Sequence, residues 1–325
     1  MTTQTSSPLR QRMIEDMQAR KLGSHSQRNH VQACKRFAAF LKRSPETASA
    51  DDVRLFQLHL VEQGVSICNR NRIMVGVKFL LRVTLRRPDL ANEIYHIREP
   101  QKIPLVLSAV ETKRLLAMAK DARSHALLSL CYGCGLRAGE VVRLKVGDID
   151  SAQGIIRVVQ GKGRKDRNVM LPADVLDVLP LWKETAAAVK AWLKVRPASG
   201  APELFLNARP QAMTRSGFEY ILVKHVATAA CKTPSIASKV VSPHVLRHTC
   251  AMHTLQATRD VRKVSLWLGH ASLQSTEVYL RADPTEKLEA LAAMAPPMLK
   301  PGHFRAPDKL LAMLSTAGRK PNYVE

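Results

Sequence analysis

Two histidines, an arginine and a tyrosine lie along one C-terminal stretch, Ser242 to Tyr279, at spacings suited to work on an anionic oxygen. Ser242-Pro243 predicts a helix start, because the hydroxyl caps orphan N–H groups and proline is tolerated at the first helical position. His244 and Arg247, three residues apart, share a face of the opening turn. Free N–H groups and the positive end of the helix dipole favour an anion there. Val264 to Leu268 predicts a second helix closed by Gly269, with His270 directly after it. Ser272 and Ser275 are candidate caps for a third helix carrying Tyr279, nine residues beyond His270. Upstream, the glycines of Tyr132-Gly133-Cys134-Gly135 break a helical pattern just before Arg137, and Glu140 follows three residues later. Between them and Ser242, Ile155–Val159 and Asn168–Leu171 predict two strands. The loop Gly161-Lys162-Gly163-Arg164-Lys165-Asp166-Arg167 joins them as a hairpin, with a lysine free to reach a bound partner. Taken singly, each of these residues has an ordinary reading: a surface ion pair, a solvated loop, an exposed ring.

Taken in order, they resemble the signature of the tyrosine recombinases, the phage-integrase and Xer-type family. His244-Val245-Leu246-Arg247 is similar to its His-x-x-Arg box, Leu268-Gly269-His270 to its Leu-Gly-His box, and Tyr279 stands where its nucleophile stands. Gly135-Leu136-Arg137-Ala138-Gly139-Glu140 resembles the first box, and Lys162 in Gly-Lys-Gly matches the family's hairpin lysine, with Lys165 as the alternative. The resemblance implies a site-specific recombinase whose Tyr279 attacks a DNA phosphorus, forming a 3′-phosphotyrosyl link and releasing a 5′ hydroxyl. Another strand's hydroxyl then reverses the step. Because the link conserves the bond energy, neither ATP nor another cofactor is expected. By the same resemblance Arg137 and Arg247 clamp the phosphate, His270 adds a donor, Lys162 protonates the leaving oxygen, His244 assists in taking the Tyr279 proton, and Glu140 orients the basic groups. Guanidinium groups are permanently charged and bond phosphate oxygens bidentately, so they can do what two divalent metals do in many nucleases. No metal is expected. Metal-dependent integrases need about three convergent carboxylates, and the pair Asp148 and Asp150 lacks a third in a matching context. Type IB topoisomerases share the tyrosine chemistry, but the Xer-like boxes favour strand exchange. The reading from a different class is a DNA-binding protein of the same fold without strand-exchange activity. Against it, every expected catalytic position holds the expected residue type.

These residues must be positioned by a scaffold, and composition bounds what it is. The chain has 325 residues, 50 Lys plus Arg against 27 Asp plus Glu, and a formal charge of +23. Such an excess favours a polyanion, with double-stranded DNA as the leading partner. No apolar run approaches the ~20 residues that span a bilayer, and the N-terminal residues lack the apolar segment of a secretory signal. The expectation is a cytoplasmic protein with no membrane partner. Leu127, Leu130, Cys131 and Cys134 fall at i, i+3, i+4, i+7, which predicts core thiols rather than a metal half-site.

The fold class expected is mainly α with a small β-sheet (α+β). Residues 1–24 read as a flexible basic arm, 25–98 as a helical DNA-binding domain and 99–107, with two prolines, as the linker. A capping box, Ser108 to Glu111, opens a catalytic domain over 108–295, and 296–325 form a tail. In the first domain a helix bearing Ile73, Val77, Leu80 and Leu81 stops at Pro88. It presents Arg70, Arg72 and Lys78 as candidate phosphate contacts, joined by Arg164 and Lys165 of the hairpin. Later helices are expected near 173–194, 215–231, 242–256 and 285–294. The resemblance also implies a homotetramer on two duplexes, or one shared with a second recombinase, serving a mobile element or Xer-like resolution.

Overall fold

Ser7 accepts a hydrogen bond from the Arg10 backbone and Pro8 takes the first helical position, so the chain enters a helix, α1 (Pro8–Ala19), almost at once. Over Pro8–Ala19 the chain is thus a helix rather than the flexible arm expected within 1–24. Met13 and Met17, four apart, form one face buried against Leu80. The polar composition concealed this because two methionines suffice when a neighbouring helix supplies the rest of the contact. The computed structural model describes residues 7–159, 166–170, 180–270 and 272–283, with Leu288 and Leu291. The loop residues Lys162, Arg164 and Lys165 lie outside the described residues, as do the 296–325 tail and most of the expected helix 285–294.

Contacts divide the chain into two units, Met1–Lys102 and Ile103–Glu325. In the first, α2 (Ser24–Leu41), α3 (Ala50–Glu62) and α4 (Ile67–Phe79) follow α1. Phe37, Val53, Phe56, Ile73, Val77 and Leu81 form their core. A capping box opens α3, with the Ser49 side chain on the Asp52 backbone and the Asp52 carboxylate returning to Ser49. One π-helical stretch, Leu80–Thr84, prolongs α4. Pro88 does end that pattern, but it also begins α5 (Pro88–Asn92), since a proline that stops one helix can be first in the next.

The second unit is mixed. α6 (Ala109–Met118), opened by the Ser108–Glu111 capping box, leads to α7 (Ala122–Gly133) and a short α8 (Ala138–Val141). Leu127, Leu128, Leu130, Cys131 and Tyr132 are fully buried, so α7 is the central helix rather than an amphipathic surface one. The thiols of Cys131, Cys134 and Cys250 are unbridged and buried, and burial raises all three above the ordinary thiol range. A three-stranded antiparallel sheet follows in the order β1 (Ile149–Asp150), β2 (Ile155–Val158), β3 (Arg167–Met170). Ile156 pairs with Val169 and Val158 with Arg167. The remaining helices are α9 (Pro180–Val195), α10 (Arg215–Ala230), α11 (Pro234–Ala237), α12 (Pro243–Thr258), α13 (Val261–Leu268) and α14 (Glu277–Ala282). The architecture is therefore mostly helical with one small sheet. No helix among the described residues is long and apolar enough to cross a membrane.

Candidate active site

The helix α12 starts as its sequence demands. Ser242 accepts from the Val245 backbone, and Pro243 holds the first position. Its next turns are buried nearly all round, which carries Arg247 inside at 3 % exposure. A buried guanidinium needs acceptors, and two backbone carbonyls supply them. Nη1 donates to Gly135 O, and Nη2 donates to Leu268 O at 2.8 Å. Gly135 lies in the turn between α7 and α8, and Leu268 closes α13, so Arg247 ties two of the sequence boxes to the third. Burial, and next the nearby Arg137, lower its pKa to about 10, which leaves it charged at neutral pH.

Both partner turns require glycine. Gly135 has φ +58°, and a Cβ there would stand 2.6 Å from Leu268 Cδ2. Gly269 has φ +61°, and a Cβ would meet Arg167 Cδ at 2.2 Å. The Gly269 turn returns the His270 N–H to Ser265 O at 3.0 Å. The His270 ring is then fixed through Nδ1, 2.8 Å from the hydroxyl of fully buried Thr276. Burial, followed by Arg247 and Arg137, lowers His270 to about 4, so the imidazole is neutral near pH 7.

Arg137 and Glu140 form the capping arrangement of α8. The Arg137 N–H donates to Glu140 Oε2 and its Nη1 to Oε1, both at 2.9 Å. Glu140 also receives two bonds from Arg167, Nη1 to Oε1 at 2.9 Å and Nη2 to Oε2 at 2.8 Å. Burial alone would raise this carboxyl. The bonds from Arg167 and from the Arg137 backbone outweigh it and hold Glu140 at about 2. Arg167, expected in the hairpin loop, thus opens β3 and belongs to the cluster. A signal for it existed: on β3, residues two apart share a face, so Arg167 points the way of buried Val169.

Tyr279, on α14, is 2 % exposed. Its hydroxyl lies 2.8 Å from Nδ1 of His248, which the sequence reading did not single out. His248 is four residues beyond His244, hence on the same face, and the two rings meet edge-on at 5.1 Å between centroids. His244 itself is exposed. Burial raises the Tyr279 phenol to about 12 despite the opposing pull of Arg247 and Arg137, and burial with His244 and Arg247 lowers His248 to about 4. The phenol is therefore protonated and the imidazole neutral near pH 7. Among the described residues no group of His, Cys, Asp and Glu is arranged to hold a metal ion.

In the first unit the three basic residues of α4 separate. Lys78 donates to Ile94 O at 3.3 Å, and Arg70 is half-buried beside Gln57, Asn71 and Tyr95. Arg72 is exposed and lines a groove with Asn29, Gln32 and Arg36 of α2.

A helical unit followed by a mixed unit, with arginines, histidines and a tyrosine drawn together from separated segments, defines a protein of the integrase class. Residues 105–286 match the phage integrase family, and residues 9–89 match the N-terminal SAM-like domain of phage integrases. The chain belongs to the phage integrase, or tyrosine recombinase, family, whose general activity is cleavage and rejoining of DNA strands. It is 36% identical over 311 residues to the protein y4qK of Sinorhizobium fredii, covering 91% of this chain and 94% of that one. It is 33% identical over 253 residues to the tyrosine recombinase XerD of Yersinia pestis, covering 75% and 81%. Among solved structures, XerA recombinase is 26% identical with a TM-score of 0.51, over 89% of this chain and 98% of that one. A lambda integrase dimer bound to a core site shares the fold at 15% identity with a TM-score of 0.66, over 90% and 98%.

Proposed function

We propose that this chain is a site-specific DNA recombinase in which Tyr279 attacks the scissile phosphorus. The Tyr279 Oη–P bond forms, the bond to the 5′ oxygen breaks, and the strand is held as a 3′-phosphotyrosyl link until another 5′ hydroxyl reverses the step. The observation that carries this reading is the junction at Arg247, whose two carbonyl partners and whose helix neighbour His248 join the Arg137, His270 and Tyr279 segments. Arg137 and Arg247 neutralise charge gathering on the non-bridging oxygens. His270 serves as a neutral donor, because its Nδ1 is engaged with Thr276 and Nε2 is the nitrogen left for a phosphate oxygen. Glu140 holds Arg137 in place, and Arg167 holds Glu140. Lys162 protonates the leaving 5′ oxygen, with Lys165 as the alternative, and His244 assists in taking the Tyr279 proton.

Residues 25–98 grip the duplex in this reading, with Arg72 the α4 residue best exposed for a phosphate or base, while 108–295 hold the chemistry. The protein acts in the cytoplasm as a tetramer on two duplexes, for a mobile element or for Xer-like resolution. The solved lambda integrase tetramer on a Holliday junction supports that assembly by likeness of fold. The test is a cleavage assay in EDTA on duplexes carrying the DNA that flanks the gene. Wild type should form a covalent protein–DNA adduct at a 3′ phosphate, and Tyr279→Phe should form none. An adduct that persists in Tyr279→Phe would remove Tyr279 from its role, and one that requires a divalent metal would overturn the mechanism.

A further inference from the structure

The family's boxes leave one ring in this cluster without a task. His248 follows Arg247 on α12 and its Nδ1 sits 2.8 Å from the Tyr279 hydroxyl. The two rings are tilted by 58° with centroids 5.7 Å apart, so the contact is a hydrogen bond rather than a stack. The phenol is almost wholly buried, and a buried hydroxyl must find a partner, so this bond decides where Oη rests. We infer that His248 is a positioning residue for the nucleophile: its Nδ1 accepts the Tyr279 hydroxyl proton in a hydrogen bond and aims Oη beside the Arg247 guanidinium. This rests on the function proposed above.

Three observations converge on it. Arg247 is immobilised by two carbonyls, so the helix turn that carries His248 is itself fixed. His244 packs edge-on against His248 and restricts its ring. The contact itself is the third. A protonated phenol and a neutral imidazole can meet with Tyr279 O–H donating to Nδ1 or with Nδ1–H donating to Oη, and the first, the one inferred, puts the imidazole proton on Nε2. Rotation of Tyr279 about its side-chain bonds would otherwise be limited only by packing, and small errors in aim cost large factors in an in-line displacement.

The test uses the full-length protein and a nicked suicide duplex carrying the DNA that flanks the gene, which traps the adduct in one turnover. His248→Ala should slow adduct formation about thirtyfold, within the range expected when a reacting group loses its aim, with DNA affinity unchanged. His248→Asn places an acceptor where Nδ1 stands and should recover the rate to within about threefold, whereas His248→Gln, whose acceptor falls near the Nε2 position, should not. A purely structural ring would give the same loss in all three. A duplex with a bridging 5′ sulfur, whose thiolate leaves without a proton, should not rescue His248→Ala. Rescue there would move His248 to the leaving-group side and overturn the inference, as would a wild-type rate in His248→Ala. Without DNA, ¹⁵N spectra should show His248 as the Nε2–H form with a hydrogen-bonded Nδ1 that shifts in Tyr279→Phe. An unmoved Nδ1 would equally overturn it. If wild type itself forms no adduct while the spectra show the bond, the proposed function fails and the contact is merely structural.

Discussion

Arg247 and the rings around it show how burial sets the state of each group. The His248 and His270 pKa values are pushed down to about 4, mainly by burial. Between that value and the ordinary histidine value of ~6.5, the unfolded chain binds more protons than the folded one. Their contribution to stability is complete above that ordinary value and is lost as pH falls from there through about 4. Glu140, held at about 2, runs on a lower window: its contribution is present above the usual carboxylate range and lost as pH falls through about 2. Thermal melts should therefore show Tm falling as pH is lowered from neutral, with a shallower fall in His248→Asn. A Tm independent of pH over that span, or an equal slope in the variant, would contradict the assigned ionisation of His248. His270 was legible from its box. His248 was not, because the bond that matters joins residues 31 apart along the chain.

At the level of elements, turns rather than helices assemble the site. The Gly269 turn ends α13, points His270 towards Thr276 and leaves room for Arg167 to pass to Glu140. Gly269→Ala adds a methyl in a left-handed conformation and against Arg167, so it should destabilise the fold by ~1–3 kcal/mol. It should also slow adduct formation by more than Tm alone accounts for, because Arg167 and His270 both move. Normal cleavage by a destabilised Gly269→Ala protein would show that the turn serves stability only. The capping boxes at Ser49 and Ser108, the start of α12 at Ser242 and the closure of α13 at Gly269 were all readable, being local hydrogen-bond chemistry. Helix α1 was not, since Met13 and Met17 acquire a partner only when Leu80 arrives from far along the chain.

For the whole molecule, charge is the dominant property. With a formal charge of +23, DNA binding should be strongly salt-dependent, falling about 10³-fold or more between 50 and 200 mM salt if six or more phosphates are contacted. Arg72→Ala should reduce affinity for the flanking DNA without changing Tm, because the side chain is exposed beside Asn29, Gln32 and Arg36. An equal loss on unrelated duplexes, with the salt slope reduced by about 1, would identify a phosphate contact. A loss confined to the flanking sequence would identify base readout, and unchanged binding would remove Arg72 from the interface. Lys78, engaged with Ile94 O, is the weaker candidate of the α4 set.

Sequence alone determined the fold class and the family, and it singled out Arg137, Glu140, His244, Arg247, His270 and Tyr279 as candidates, because box spacing and helix ends are set by interactions within a few residues. Tertiary structure decided which carbonyls hold Arg247, that Arg167 turns inward to share Glu140, and that Tyr279 rests on His248. Those outcomes depend on burial. A guanidinium or phenol taken from water must find a partner wherever the packed chain offers one, and no spacing rule reveals which residue from a distant segment will be there.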